Sequence, residues 1–129
     1  MERRLLQWTV GVLALLPVSA GLAGVVLGPR FLGAEVPWPA DLDSHTRFLS
    51  GVFLALGVAW WTCVPAIERH AGCFRLLAAA TVAGGLARLL SLIMAGAPSA
   101  GHVAGLGMEL VVVPLLVIWQ ARVARRVGG

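Results

Sequence analysis

Residues 74–95 read FRLLAAATVAGGLARLLSLIMA, a long apolar run that carries Arg88 well inside it. The hydrocarbon core of a bilayer is about 30 Å thick, and a helix of about 20 residues crosses it. The run is long enough for that crossing, and it would expose too much apolar surface on a soluble protein. We therefore predict a transmembrane helix over residues 74–95.

Three further apolar stretches of similar length predict the rest of an all-α fold. The expected helices are about 5–28, 44–67, 74–95 and 99–123. Only 12% of the 129 residues are charged, whereas soluble domains carry about a quarter. Residues 2–20 also fit a cleavable signal peptide, but the apolar run continues to Gly28, which favours a retained helix. We predict one integral membrane domain over residues 1–129, a four-transmembrane-helix bundle.

The arginines predict how this bundle is oriented. Seven lie at the chain ends or around the second connection: Arg3, Arg4, Arg69, Arg75, Arg122, Arg125 and Arg126. The other side carries Arg30 and Arg47 with three carboxylates, Glu35, Asp41 and Asp43. Basic residues concentrate on the cytoplasmic side of membrane proteins. We predict a multi-pass protein of the inner (plasma) membrane with both termini cytoplasmic, and no nucleic-acid partner, because no basic face carries stacking aromatics.

Small and polar residues recur along one face of each predicted helix, where helices are expected to meet in lipid. The first stripe contains Ala14, Pro17, Gly21, Gly24 and Gly28, and the second contains Asp43, Arg47, Ser50, Leu54, Gly57 and Trp61. The third contains Thr81, Gly84, Arg88, Ser91 and Ala95, and the fourth contains His102, Gly105, Glu109, Leu116 and Gln120. We predict that these stripes form the interior of the bundle.

Arg88 and Glu109 are the two ionisable residues that lie deep in the apolar runs. A charge at the bilayer centre costs at least about 2.5–3.5 kcal/mol, so each needs a partner or water. At a rise of about 1.5 Å per residue, Arg88 lies roughly 10 Å from the end of its helix at Ala95, and Glu109 roughly 14 Å from Ser99. An extended arginine spans that difference, so we predict an Arg88–Glu109 ion pair.

The candidate ligand-binding residues are Arg47, Ser50, Arg88, Ser91 and Glu109, with Asp43, His45 and His102 around them or at the mouth. Asp43 and Arg47 are spaced for an i, i+4 pair. The guanidinium groups suit an anionic or carbonyl ligand. Two interpretations of Arg88 with Glu109 stay open, a ligand or proton site and a purely structural lock. For Arg47 with Asp43 we favour an interfacial cap over a ligand site.

The sequence contains no strong catalytic motif. His45, His102 and either Asp43 or Glu109 are suitable metal-ligand types, but their spacing is not tight, and we predict neither a metal nor a cofactor. We favour a non-catalytic membrane protein that binds a small anionic or carbonyl ligand or a lipid headgroup. The alternatives are a membrane enzyme or redox accessory that acts on a quinone or isoprenoid, and an assembly subunit that forms a homo-oligomer or joins a partner membrane protein.

Three stretches together resemble the bacterial four-helix membrane family catalogued as domain of unknown function 4345. They are residues 43–51 (DSHTRFLSG), 84–92 (GGLARLLSL) with 96–98 (GAP), and 108–110 (MEL) with 114–116 (PLL) and 120–122 (QAR). The resemblance implies a four-helix membrane fold and brings no activity with it. Its matching positions are Arg47, Arg88, Ser91, Pro98 and Glu109. A looser likeness to DoxX-like membrane proteins concerns the fold alone.

Overall fold

The computed structural model describes residues 1–128, and every regular element within them is helical. The α-helices are α1 (Glu2–Leu13), α2 (Leu15–Leu27), α3 (Ala40–Thr62), α4 (Ala71–Ala95), α5 (Ala100–Gly107) and α6 (Val113–Val127). A 3₁₀ turn, Gly28–Leu32, continues α2, and a π turn, Met108–Val112, joins α5 to α6. These elements make four helical segments in the described chain, which confirms the all-α class.

Three of the four segments are long and apolar enough to cross a membrane. They are Glu2–Leu32, Ala71–Ala95 and Ala100–Val127. Helix α3 has 23 residues, but its first two turns contain Asp41, Asp43, His45 and Arg47. Because these polar residues lower the hydropathy of α3, its crossing is not shown by length and composition and stays a prediction.

Prolines explain how the first and second helical segments differ from the predicted helices. The first segment begins at Glu2 and is interrupted at Ala14, because Pro17 has no N–H for the carbonyl of Leu13. Helix α3 begins after Pro39 and ends at Thr62, about one turn before the predicted end at 67. Pro65 removes the next hydrogen-bond donor, and the residue before a proline avoids the helical region.

The first compact unit, which we call the hairpin unit, is Gln7–Pro65. Its two helical segments contact each other at glycines of the stripe predicted for the first helix. A methyl group on Gly21 would lie 2.5 Å from the backbone nitrogen of Leu54, and Gly24 packs against Ser50. The stripes predicted for the first and second helices are therefore confirmed as the contact between them, so Gly21 and Gly24 serve internal packing.

The contact in the hairpin unit continues along the whole of α3. Gly57 lies against Val18, where a Cβ would be 2.9 Å from the backbone nitrogen. One further turn along, the indole Nε1 of Trp61 donates to the carbonyl of Gly11 at 2.9 Å. Helix α3 therefore runs antiparallel to α2 and packs along it, and the side chain of Trp61 reaches α1 at Gly11.

The second compact unit, which we call the terminal unit, comprises Met1–Leu6 and residues 66–128. Its fully buried side chains include Leu6, Ile67 and Phe74. Near Leu6, Glu2 forms ion pairs with Arg122, at 3.1 Å, and with Arg126. Arg3 lies 2.9 Å from Glu68. The start of α1 and the end of α6 are thus held together by charge pairs.

Candidate functional site

The predicted ion pair between Arg88 of α4 and Glu109 is present. Nε of Arg88 donates to Oε2 of Glu109 at 3.0 Å, and Nη2 donates to Oε1 at 3.2 Å. The two bonds form a bidentate fork, which is stronger and more directional than a single bond. The Glu109 side chain is 9% exposed and that of Arg88 is 30% exposed. The carboxylate is therefore enclosed, while the guanidinium retains an open side.

A π turn in the fourth helical segment carries Glu109. It covers Met108–Val112, and the N–H of Val113 bonds to the carbonyl of Met108, five residues back. Pro114 explains the turn, because it cannot donate to the carbonyl of Leu110 and its ring crowds that carbonyl. Single π turns inside α-helices occur frequently at functional sites. The sequence analysis missed this turn, although Pro114 was the signal that could have indicated it.

Gly85 allows α4 to approach the π turn. The sequence analysis placed Gly84 on the contact stripe of this helix instead, and that prediction is wrong. A Cβ on Gly85 would lie 2.8 Å from Cβ of Glu109 and 2.8 Å from Cδ2 of Leu110, whereas Gly84 has nothing within 4 Å. The buried positions of α4 are Phe74, Ala78 and Gly85. The contact face is therefore rotated by about one residue from the predicted stripe.

We expect Gly85→Ala to destabilise the protein and Gly84→Ala, its neighbour, to leave it unchanged or slightly more stable. A methyl at position 85 must displace Glu109 and Leu110, and such overpacking costs about 1–2 kcal/mol. At the open position 84, alanine is the better helix former. The free energy of unfolding, measured by denaturant titration in detergent micelles, separates the two. Equal effects of both variants would contradict the contact at Gly85.

The guanidinium of Arg88 has hydrogen-bonding capacity that the protein does not use. An arginine has five N–H donors, and in the structure Arg88 gives one from Nε and one from Nη2 to Glu109. Among residues 1–128, its Nη1 forms no hydrogen bond. Unpaired donors inside an apolar run are costly, so the open side of Arg88 favours an acceptor from outside the chain.

Arg47 of α3, the other predicted anchor, is occupied differently. Its Nε and Nη2 donate to Asp43 at 2.8 and 3.2 Å, and its Nη1 donates to the carbonyls of Val25 and Val26. Those carbonyls lie in the last turn of α2, where helical carbonyls lack partners and a cation is favourable. Arg47 therefore caps α2, in agreement with the interfacial-cap interpretation.

Two neighbouring features complete the cap around Asp43. Asp43 precedes the predicted span 44–67. The hydrogen bonds from Arg47, together with one from Trp38 at 3.2 Å, hold the pKa of Asp43 below its usual value. Gly28 has a φ of 59°, and a Cβ there would lie 2.9 Å from both Asp43 and Arg47. Only glycine readily combines this conformation with that close approach.

The remaining candidate residues are divided between the two compact units. Ser50 packs against Gly24 and His45 is exposed, both in the hairpin unit. In the terminal unit Ser91 is exposed, and His102 forms a hydrogen bond with Ser99 at 2.8 Å. The structure thus brings together Asp43 with Arg47, and Arg88 with Glu109. A single pocket shared by Arg47 and Arg88 stays a prediction.

Two clefts of the terminal unit lie at the other end of its helices, away from Arg88. One, of about 460 Å³, is lined partly by Arg75, Gln120 and Arg125, and the second, of about 400 Å³, partly by Glu2 and Arg126. Within residues 1–128, no three His, Cys, Asp or Glu side chains lie close enough to hold a metal ion.

Comparison with known proteins identifies a family but no characterised relative. No curated protein and no solved structure matches the chain significantly. A family model described as "Domain of unknown function (DUF4345)" matches residues 5–120, a range that includes the Asp43–Arg47 and Arg88–Glu109 pairs. Since this match covers most of the sequence, the chain belongs to the family of that domain of unknown function.

Proposed function

We propose that this is a membrane protein that binds an anionic or carbonyl group on the open side of Arg88. The observation that carries the proposal is that the Arg88 guanidinium uses two of its five N–H donors within the described chain. Glu109 fixes one edge of Arg88 through two bonds of 3.0 and 3.2 Å, and the other edge keeps its donors. A planar guanidinium held in this way is preorganised for carboxylate or phosphate oxygens. Glu109 then orients Arg88, and nearby Ser91 is a candidate hydrogen-bond partner.

The proposal narrows the predicted set of ligand-binding residues. Arg47 has acceptors for Nε, Nη1 and Nη2 within the hairpin unit, so its role is to hold α2 against α3. Arg88 has acceptors for only two of its nitrogens. Ligand binding is therefore assigned to Arg88, which Glu109 orients, and the Asp43–Arg47 pair is assigned to the cap.

The same proposal includes four membrane crossings with both termini on the cytoplasmic side. Helix α3 packs along α2, and Trp61 near its end reaches Gly11 of α1, so α3 follows the first segment over most of the stretch between Gly11 and Gly28, which supports its crossing. Glu2 is paired with Arg122 and Arg126, which supports the two chain ends lying at one membrane face. The concentration of arginines at that face supports the cytoplasmic assignment.

Native mass spectrometry of the purified protein in mild detergent tests the binding proposal. Oleate serves as an anionic probe and oleyl alcohol as its neutral counterpart of equal chain length. We expect the protein to retain oleate in preference to the alcohol, and Arg88→Gln to abolish that preference. Arg30→Gln, which removes an exposed arginine elsewhere, is the matched control and should bind as the parent protein does.

The double variant Arg88→Gln/Glu109→Gln addresses the risk that a single change leaves an unpaired carboxylate. It is uncharged at both positions, so it is expected to fold and to show no preference for oleate. Retention of oleate by this folded double variant, or equal retention of oleate and the alcohol by the parent protein, would rule out the proposed site.

A further inference from the structure

The larger cleft of the terminal unit combines a small-residue floor with two arginines. It has a volume of about 460 Å³ and lies between the beginning of α4 and the end of α6. Its floor consists of small residues, Ala71, Ala121, Ala124 and Gly128. Arg75 and Arg125 border it, and both are exposed. This arrangement differs from the Arg88 site because the described residues that line it include no carboxylate.

No carboxylate among residues 1–128 pairs with the two arginines of this cleft. The nearby carboxylates are already engaged, because Glu68 pairs with Arg3, and Glu2 pairs with Arg122 and Arg126. Within residues 1–128, neither Arg75 nor Arg125 forms an ion pair or side-chain hydrogen bond. Two guanidinium groups therefore face one cleft with a formal charge of +2. Such a site is complementary to a phosphate group.

The length of α4 places the cleft at the level of the lipid headgroups. The helix has 25 residues and is therefore about 37 Å long, which exceeds the hydrocarbon thickness of about 30 Å. Arg75 lies near its first turn, and Arg125 lies in the last turn of α6. Both arginines therefore fall at the membrane surface, where lipid phosphates are located.

The wall of the cleft contains a polar group that lacks one partner. Gln120 is fully buried and donates from Nε2 to the carbonyl of Ile67 at 3.0 Å. Its Oε1 has no hydrogen-bond partner among the described residues. A buried oxygen without a donor is uncommon in proteins, and this one belongs to a residue that lines the cleft.

We infer that this cleft binds the headgroup of an anionic phospholipid, with the phosphate between Arg75 and Arg125 and the glycerol region on the small-residue floor. The site lies at the opposite end of α4 from Arg88 and is independent of the ligand proposed there. The bound lipid would hold the end of α6 at the membrane surface on the side of Arg75 and Arg125.

The test uses the full chain and a mixture of phosphatidylglycerol and phosphatidylcholine with identical acyl chains. Native mass spectrometry measures the ratio of the two lipids retained by the protein. We expect a preference for phosphatidylglycerol that falls about thirtyfold in Arg75→Gln/Arg125→Gln. This fall corresponds to about 2 kcal/mol, or about 1 kcal/mol for each arginine near an anionic membrane surface.

Arg4→Gln/Arg69→Gln is the matched control, because it removes the same charge at the same end from residues that do not line the cleft. This control should keep the preference. An equal fall in both double variants would mean that general surface charge attracts the lipid and would overturn the inference. Displacement of phosphatidylglycerol by millimolar inorganic phosphate would also overturn it, since the occupant would then be a soluble anion.

Discussion

Replacing Glu109 with Ala is expected to reduce the free energy of unfolding by about 3–5 kcal/mol, the loss typical when one partner of a buried ion pair is removed. The variant leaves the guanidinium of Arg88 inside an apolar helix without the carboxylate that now binds two of its nitrogens. Titration of the folded protein with a denaturing detergent, followed by circular dichroism, measures the change.

A charge-neutral replacement distinguishes the loss of the partner from the loss of packing. In Arg88→Met/Glu109→Leu both charges are absent and the volume is largely kept, so we expect most of the lost stability to return. If the double variant is as unstable as Glu109→Ala, or if Glu109→Ala is as stable as the parent protein, then the pair does not neutralise a buried charge.

Gly21→Ala is expected to lower the stability by about 3 kcal/mol, at the upper end of typical overpacking costs. The new methyl would lie 2.5 Å from the backbone nitrogen of Leu54 and 2.7 Å from its Cα. Backbone atoms cannot move aside as a flexible side chain can, so α2 and α3 must separate. The effect should therefore exceed that of Gly85→Ala, where the neighbours are side-chain atoms.

Gly11→Ala is the matched control for this substitution, because Gly11 belongs to the same helical segment and a methyl group added there would have no atom within 4 Å. It should unfold at the same detergent fraction as the parent protein, or at a slightly higher one. A loss of stability in Gly11→Ala as large as that in Gly21→Ala would mean that helix propensity, and not the contact with α3, governs these positions.

The sequence predicted the contacts of the hairpin unit well, because small and polar residues mark both of its stripes at helical spacing. Gly21, Gly24 and Gly28 recur in this way, and so do Arg47, Ser50 and Leu54 on the opposing helix. In lipid, small residues mark helix contacts more reliably than apolar residues do. The Arg88–Glu109 pair could also be predicted, because pairing two opposite charges lowers the free-energy cost of burying each of them in the membrane.

Other features depend on backbone geometry that residue spacing does not reveal. Gly84 and Gly85 are adjacent, so a rotation of α4 by one residue exchanges which of them meets Glu109. The π turn at Met108–Val112 changes the register of the fourth segment, and a regular helix was assumed there. The capping of α2 by Arg47 depends on where α2 ends, which Pro29 and the positive φ of Gly28 set.

The distance between Arg88 and Glu109 in lipid bilayers tests the central claim most directly. Solid-state nuclear magnetic resonance can detect the dipolar coupling between ¹⁵N-labelled guanidinium groups and ¹³C-labelled glutamate carboxyl carbons, with Glu109→Gln as the assignment control. We predict a strong coupling in the parent protein that is missing in Glu109→Gln, as N···O distances of 3.0 and 3.2 Å require, whereas the couplings of Glu2 and Glu68 to their arginines remain. A spectrum of the parent protein that is indistinguishable from that of Glu109→Gln would contradict the account.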